Sequence, residues 1–240
     1  MVANVLTEPL PFRDDKQRQR TAAASGCWLM AGAAYLILEA FAAAAYRPDY
    51  SYAHNYISDL GRPSRQSAGA TIGSGFAWAM NAAFYLQGIL FLVGAVLLVR
   101  ARRKPNARAF LNLVAVNTLG NIMVGTVYSG PPADVGGPAW VHAGGAVMAI
   151  VGGNAAVLTG FRCVRSGAGA RWYHAVSLGL GVLGLASFLM LGVQTTTELV
   201  IAPTATWERM SVYTIIAWQM LSAAALLTSR STENALPQAL

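Results

Sequence analysis

The sequence predicts an all-α polytopic membrane protein, a six-transmembrane-helix bundle with the N and C termini in the cytoplasm. Of its 240 residues, 55% are hydrophobic and only 11% are charged, whereas soluble domains carry about 25% charged residues. Six apolar stretches come close to the roughly 20 residues that a helix needs to cross a bilayer. We expect one transmembrane domain over residues 22–228, between an N-terminal tail at 1–21 and a C-terminal tail at 229–240.

The six spans follow one another with little sequence between them. Each must be a helix, because backbone polar groups inside a bilayer have no water to bond to. The first span is too long for the apolar core of a signal peptide, so we predict that it is retained. The predicted spans are Ala22–Tyr46, Gly75–Val99, Ala109–Tyr128, Ala139–Phe161, Ala175–Thr195 and Met210–Thr228.

Charged and turn-forming residues delimit these spans. In chain order, the spans lie between Arg20 and Arg47, Ser74 and Arg100, Arg108 and Ser129, Pro138 and Arg162, Arg171 and Thr196, and Arg209 and Arg230. Proline, glycine and serine favour turns in the outer loops, which we place at 47–74, 129–138 and 196–209. Small residues predict close helix packing in the fourth and fifth spans. They are Gly144, Gly145, Gly152, Gly153, Gly179, Gly181 and Gly184.

The basic residues lie mostly at one set of span ends. Of the 17 lysines and arginines, 13 fall on the same side of the predicted bundle. The four on the other side are Arg47, Arg62, Arg65 and Arg209. The positive-inside rule therefore places both termini in the cytoplasm. The net charge of +7 does not indicate nucleic-acid binding, because the bases flank apolar spans and accompany no nucleic-acid motif.

Glu39 is the acidic residue within the first span, about two helical turns from its outer end. A carboxylate at the centre of a bilayer costs roughly 2.5–3.5 kcal/mol on insertion scales. Glu39 must therefore face the bundle, paired or protonated. It either binds a ligand or a proton, or makes a structural hydrogen bond to a neighbouring helix.

The first outer loop contains the segment from His54 to Gly61, which reads HNYISDLG. Its Asp59 fits two alternatives. Asp-Leu-Gly favours a turn in which the Asp side chain bonds the backbone. Alternatively, His54, Ser58 and Asp59 fold over the mouth of the bundle as ligands or acid–base groups.

Further polar residues follow in the later spans. Asn117, Asn121 and Gly125 recur every four residues and so share one helical face, as a ligand path or as interhelical hydrogen-bonding groups. His142 opens the fourth span, while Glu208 and Arg209 open the sixth. Glu208 suits a helix N-terminus. Arg209 either pairs within the protein or binds a lipid phosphate.

The segment Tyr56-Ile57-Ser58-Asp59-Leu60-Gly61 resembles the signature of a bacterial and archaeal family known as domain of unknown function 998. Other matching positions are Asn117, Asn121, Gly125, Thr126, His142, Glu208 and Arg209. The resemblance runs from about residue 26 to 228. It implies a six-span protein. We expect the protein in the plasma (inner) membrane of a bacterium. The Ile-Ser-Asp-x-Gly element is also similar to one in the eukaryotic Frag1/DRAM/Sfk1 group, some members of which are linked to lipid remodelling.

These observations predict an outward-facing polar pocket that binds or processes a lipid or other amphiphile. Its ligand-binding residues would be Glu39, Asn117, Asn121, Glu208 and Arg209. If the protein is an enzyme, we expect a membrane-embedded hydrolase or lipid-remodelling enzyme that uses His54, Ser58, Asp59 and His142. A zinc site of His54, Asp59 and His142 is chemically feasible, but the sequence identifies no cofactor and lacks an H-x-x-x-H pair.

Two non-enzymatic alternatives remain open beside lipid binding. The protein would serve as an accessory or scaffold subunit of a membrane complex, or as a small transporter. No inverted repeat or clearly broken span indicates a transporter. The expected partners are membrane lipids and, for the scaffold alternative, other membrane subunits, with no nucleic acid.

Overall fold

The computed structural model describes residues 11–102, 107–128, 138–165 and 170–235. Its six long helices are α1 (Pro11–Ala44), α2 (Ala77–Arg102), α3 (Ala107–Thr126), α4 (Ala139–Val164), α5 (Arg171–Thr196) and α6 (Thr204–Ala235). All six are long and apolar enough to cross a membrane. The predicted all-α fold of six membrane-spanning helices is confirmed, whereas the cytoplasmic position of the termini stays a prediction.

Several helices extend beyond the predicted spans. The first helix begins at Pro11, inside the segment that we assigned to the tail, and the sixth begins at Thr204 rather than Met210. Before the first span, α1 runs through arginine, lysine and glutamine residues, which are good helix formers. Because α6 begins at Thr204, Glu208 and Arg209 lie on the helix itself rather than in a loop. Residues 129–137 of the predicted second outer loop lie outside the described residues, as do 1–10 and 236–240 of the tails.

The first connection, residues 45–76, is a structured cap rather than a series of turns. It contains β1 (Tyr46–Arg47), a 3₁₀-helix (Ile57–Gly61), β2 (Arg65–Ser67) and β3 (Ala70–Ser74). The strands form an antiparallel sheet in the order β1-β3-β2. Ala68 and Gly69 link β2 to β3 with positive φ angles of 48° and 83°, as a type I′ hairpin turn requires. We call the end of the bundle beneath this cap the loop end, and the opposite end the basic end.

The helices pack mainly against their sequence neighbours, and α6 closes the bundle against α1, α4 and α5. Trp218 of α6 lies at the centre of the apolar core. Its ring centroid is 5.4 Å from that of Trp28, 6.1 Å from that of Phe91 and 6.2 Å from that of Phe110. Helices α1, α2, α3 and α6 therefore meet at one aromatic cluster. The fifth helix contacts mainly α4 and α6, and lies at the periphery.

Small residues permit a close contact between α3 and α4. A Cβ atom at Gly120 would lie 2.5 Å from the carbonyl oxygen of Gly145 and still closer to the backbone nitrogen of Ala149. The predicted packing role is confirmed for Gly145, Gly152 and Gly153, where a Cβ would crowd α3 or α6. It is also confirmed for Gly181 and Gly184, where a Cβ would crowd α4. Gly144 and Gly179 have space around them.

Buried polar side chains link the helices in the interior. The amide Nε2 of Gln87 on α2 donates to Oε1 of Gln219 on α6 at 2.6 Å. Asn154 on α4 donates to the carbonyl oxygen of Ser211 at 2.8 Å and accepts from Thr214 at 2.9 Å. Such contacts add modest stability in a bilayer, on average about 0.6 kcal/mol each. They hold α6 in register with α2 and α4.

Candidate functional site

Arg209 is the centre of a polar cluster at the loop end. We define the Arg209 cluster as Glu39, Tyr50, Tyr52, Asn55, Arg209 and Tyr213. Arg209 is only 7% exposed. Its Nη1 donates to the carbonyl oxygens of Tyr52 and Asn55, the latter at 2.7 Å, and its Nη2 donates to the hydroxyl of Tyr50. The guanidinium therefore holds the cap directly against α6.

Two tyrosine rings of the cap cover the guanidinium. The Cζ atom of Arg209 lies 5.3 Å from the ring centroid of Tyr50 and 4.9 Å from that of Tyr52. These are favourable cation–π distances. Burial raises the pKa of Tyr50, so its phenol stays neutral. The neutral hydroxyl can accept from Arg209 while it donates to the carbonyl oxygen of Tyr56 at 2.9 Å.

Glu39 binds the same arginine from α1. Its Oε1 lies 3.7 Å from Nη2 of Arg209, and the hydroxyl of Tyr213 donates to both carboxylate oxygens, at 2.9 and 2.8 Å. Tyr213 and Arg209 are four residues apart on α6 and so share one face. Glu39 is 2% exposed and faces the bundle. Its contacts with Tyr213 and Arg209 join α1 to α6, as expected if Glu39 forms a structural hydrogen bond to a neighbouring helix. Its role in ligand binding stays a prediction.

Glu208 fixes the cap by a different contact. Its Oε2 accepts a hydrogen bond from the backbone N–H of Ile57 at 2.6 Å, at the start of the 3₁₀-helix. We expected Glu208 to suit the N-terminus of its own helix. Because α6 begins one turn earlier, at Thr204, Glu208 lies beyond the unpaired N–H groups of its first turn. The carboxylate caps the loop instead.

Asp59 makes the backbone contact expected of the turn alternative. Its Oδ2 accepts from the backbone N–H of Tyr56 at 3.0 Å, and its carbonyl oxygen accepts from the N–H of Arg62 at 3.1 Å. Ser58 is half-buried and His54 is exposed. The cap thus holds three of the four predicted acid–base residues in one segment, and Asp59 shapes the 3₁₀-helix.

The remaining predicted site residues bond to backbone within the bundle. His142 donates from Nδ1 to the carbonyl oxygen of Val127 at 2.6 Å, which ties the start of α4 to the end of α3. Asn117 donates to the carbonyl oxygen of Ala149 at 2.6 Å, and Asn121 to that of Asn117 at 3.0 Å. Asn117 therefore makes the interhelical hydrogen bond of the structural alternative, whereas the bond from Asn121 stays within α3.

Metal binding by His54, Asp59 and His142 requires three ligands around one point. Within residues 11–102, 107–128, 138–165 and 170–235, no group of three His, Cys, Asp or Glu residues could hold a metal ion. The third histidine, His174, lies near the basic end and bonds to the carbonyl oxygen of Arg165 at 2.8 Å.

Four residues of the Arg209 cluster escaped the sequence analysis. They are Tyr50, Tyr52, Asn55 and Tyr213. The cap segment is rich in tyrosine, at positions 46, 50, 52 and 56, and Tyr213 follows Arg209 by one helical turn. These tyrosines were the available signal, because aromatic rings are favourable neighbours of a buried arginine.

A groove beside the Arg209 cluster runs between α5 and α6. Its volume is about 320 Å³. Leu180, Leu183 and Ala217 form its apolar part, and Tyr52, Arg209 and Tyr213 line its polar end. Leu183 is 44% exposed and Tyr52 is 47% exposed, so the groove is accessible from the outside of the bundle. The groove connects the cluster to the outer surface of the helices α5 and α6.

The fold and the cluster can be compared with known proteins. A family described as "Protein of unknown function (DUF998)" matches residues 29–225. The chain belongs to this family. The DUF998 match includes every residue of the Arg209 cluster and of the groove, and it confirms the family resemblance seen in the cap motif. No curated protein and no solved structure matches the chain, and the similarity to the Frag1/DRAM/Sfk1 group stays a prediction.

Proposed function

We propose that this multi-pass membrane protein binds one chain of a membrane lipid or other amphiphile in the groove between α5 and α6. The observation that carries the proposal is a groove whose apolar walls end at a buried arginine. Ligand sites are typically apolar clefts with a few fixed polar groups at one end. An amphiphile has the same division between an apolar chain and a polar head.

The size of the groove supports a single chain. The groove has a volume of about 320 Å³. If a methylene group takes about the volume of one liquid water, about 30 Å³, the groove accommodates roughly ten of them. Leu180, Leu183 and Ala217 would contact the chain, while Tyr52 and Arg209 would lie near its head. Hydrolase, scaffold and transporter roles stay predictions from sequence, since no contact in the groove favours one of them.

Filling the groove is expected to remove the bound chain. Ala217 is exposed on α6 and lines the groove, so Ala217→Phe would occupy part of its volume. Native mass spectrometry of the protein purified in mild detergent should find one retained lipid per wild-type chain. We expect about tenfold less retention in the variant, equivalent to roughly 1.4 kcal/mol of binding free energy.

Ala224→Phe is the matched control for this experiment. Ala224 is also exposed on α6, seven residues further along the same face, and is not part of the groove lining. It should retain lipid as the wild type does. Equal lipid retention by the wild type and Ala217→Phe would rule out the groove as the binding site.

We further propose that the loop end faces outward from a bacterial plasma membrane, with both termini in the cytoplasm. The excess of basic residues at the opposite end supports this orientation. A cysteine placed at the exposed Ala70 of β3, in a background with Cys27 and Cys163 replaced by alanine, should react with a membrane-impermeant maleimide in intact cells. Reaction only after cell lysis would reverse the orientation.

A further inference from the structure

The polar end of the groove also restricts the headgroup of its ligand. Resting on the lipid-binding function proposed above, we infer that the ligand is a lipid with an uncharged headgroup, which offers one hydroxyl or carbonyl oxygen to Nε of Arg209. Three features of the Arg209 cluster lead to this inference: its balance of charge, the engaged terminal nitrogens of Arg209, and one buried donor without a partner among the described residues.

The charges around the guanidinium do not favour an anion. Arg209 is flanked by the carboxylate of Glu39, 3.7 Å from Nη2, and by the preceding residue Glu208, whose carboxylate is bound to the cap. Recognition of a phosphate normally needs a cation whose charge is not already balanced. The carboxylate of Glu39 already balances the charge of Arg209, so a negatively charged headgroup would find no excess positive charge at this end of the groove.

The terminal guanidinium nitrogens that would bind a phosphate are already engaged. Both terminal nitrogens of Arg209 donate to the cap, at Tyr52, Asn55 and Tyr50. The hydroxyl of Tyr213 donates to Glu39, and that of Thr214 to the side chain of Asn154 at 2.9 Å. A bidentate arginine–phosphate contact, the usual mode of such recognition, would therefore require the cap to be released.

One buried donor of the Arg209 cluster is left over. The Nε atom of Arg209 is buried and has no hydrogen-bond partner among the described residues. A buried N–H without an acceptor is unfavourable, and a single neutral oxygen would satisfy it without adding charge. Tyr52, which covers the guanidinium and is 47% exposed, lies at the surface of the cap, where a side-chain rotation would give a ligand access.

A matched pair of single-chain lipids tests this inference on the full-length protein. We would measure binding of 1-oleoylglycerol and of 1-oleoyl-lysophosphatidate, which differ only by the phosphate, to delipidated protein by native mass spectrometry. The wild type should bind 1-oleoylglycerol at least about tenfold more tightly. Ala217→Phe should lose this binding, and Ala224→Phe should keep it.

The outcomes separate the headgroup inference from the proposed function. If lysophosphatidate binds as tightly as 1-oleoylglycerol or more tightly, and Ala217→Phe abolishes both, the inference is wrong and the groove is still a lipid site. If neither lipid binds, or if Ala217→Phe changes neither, both the inference and the proposed function fail. Because the comparison is made on the wild-type protein, it does not depend on a variant of Arg209 folding.

Discussion

Arg209→Gln is expected to destabilise the protein by about 3–5 kcal/mol, the usual cost of removing one partner of a buried ion pair. The substitution would leave Glu39 without its cation and would remove the guanidinium donor from the carbonyl oxygens of Tyr52 and Asn55. It would also remove the cation–π contacts with the two tyrosine rings. The free energy of unfolding in mixed detergent micelles is the quantity to measure.

Arg47→Gln provides the control for charge. Arg47 is exposed and lies in the same cap, and its side chain donates to the carbonyl oxygen of the preceding Tyr46 at 2.8 Å. The Arg47→Gln substitution removes the same formal charge as Arg209→Gln, and should change the free energy of unfolding by no more than about 0.5 kcal/mol. If the two variants are equally stable, the Arg209 cluster does not hold the cap on the bundle.

Gly120→Ala is expected to cost about 2–3 kcal/mol by overpacking. The added methyl group would meet backbone atoms of α4, at Gly145 and Ala149, rather than flexible side chains. A backbone contact cannot be relieved by a change of rotamer, so α3 and α4 would have to separate. The loss would exceed the benefit of about 0.5–1 kcal/mol that alanine normally brings in place of glycine inside a helix.

Gly144→Ala tests the same substitution in the neighbouring helix without the clash. The nearest atom to a Cβ at Gly144 is the terminal methyl of Met123, at 4.0 Å. This variant should be as stable as the wild type or slightly more stable. Thermal unfolding of both variants, followed by circular dichroism in detergent, would make the comparison. A Gly120→Ala protein as stable as Gly144→Ala would contradict the close contact of α3 and α4.

The helical fold was predictable because a bilayer restricts what a long apolar segment can do. Six such segments gave six helices, and only their ends differed. Hydropathy reports where the apolar residues stop, whereas a helix stops where its capping and backbone geometry require it. Thus α1 runs through charged residues from Pro11, and α6 starts directly after Pro203.

The charged members of the cluster were predictable for a related reason. Glu39, Glu208 and Arg209 are costly in apolar surroundings, so each one is conspicuous. Their partners were not conspicuous. Tyr50, Tyr52 and Tyr213 belong to a residue type that is common near membrane interfaces, and the carbonyl oxygens that Arg209 binds belong to the backbone, which every sequence has. The shape of the groove depends on how α5 packs against α6, and no local sequence pattern encodes that packing.

The contacts of the cluster also relate to the order in which the chain is made. Glu39 and Tyr213 are 174 residues apart, and synthesis proceeds from the N terminus at about 5–20 residues per second. For roughly 10–35 s of synthesis at that rate, the carboxylate in the first helix has no partner from the last. A chain that ends before α6 never acquires that partner. The ion pair between Glu39 and Arg209 therefore forms only in a polypeptide that includes α6. The first helix reaches its final environment only after the sixth helix has been synthesised.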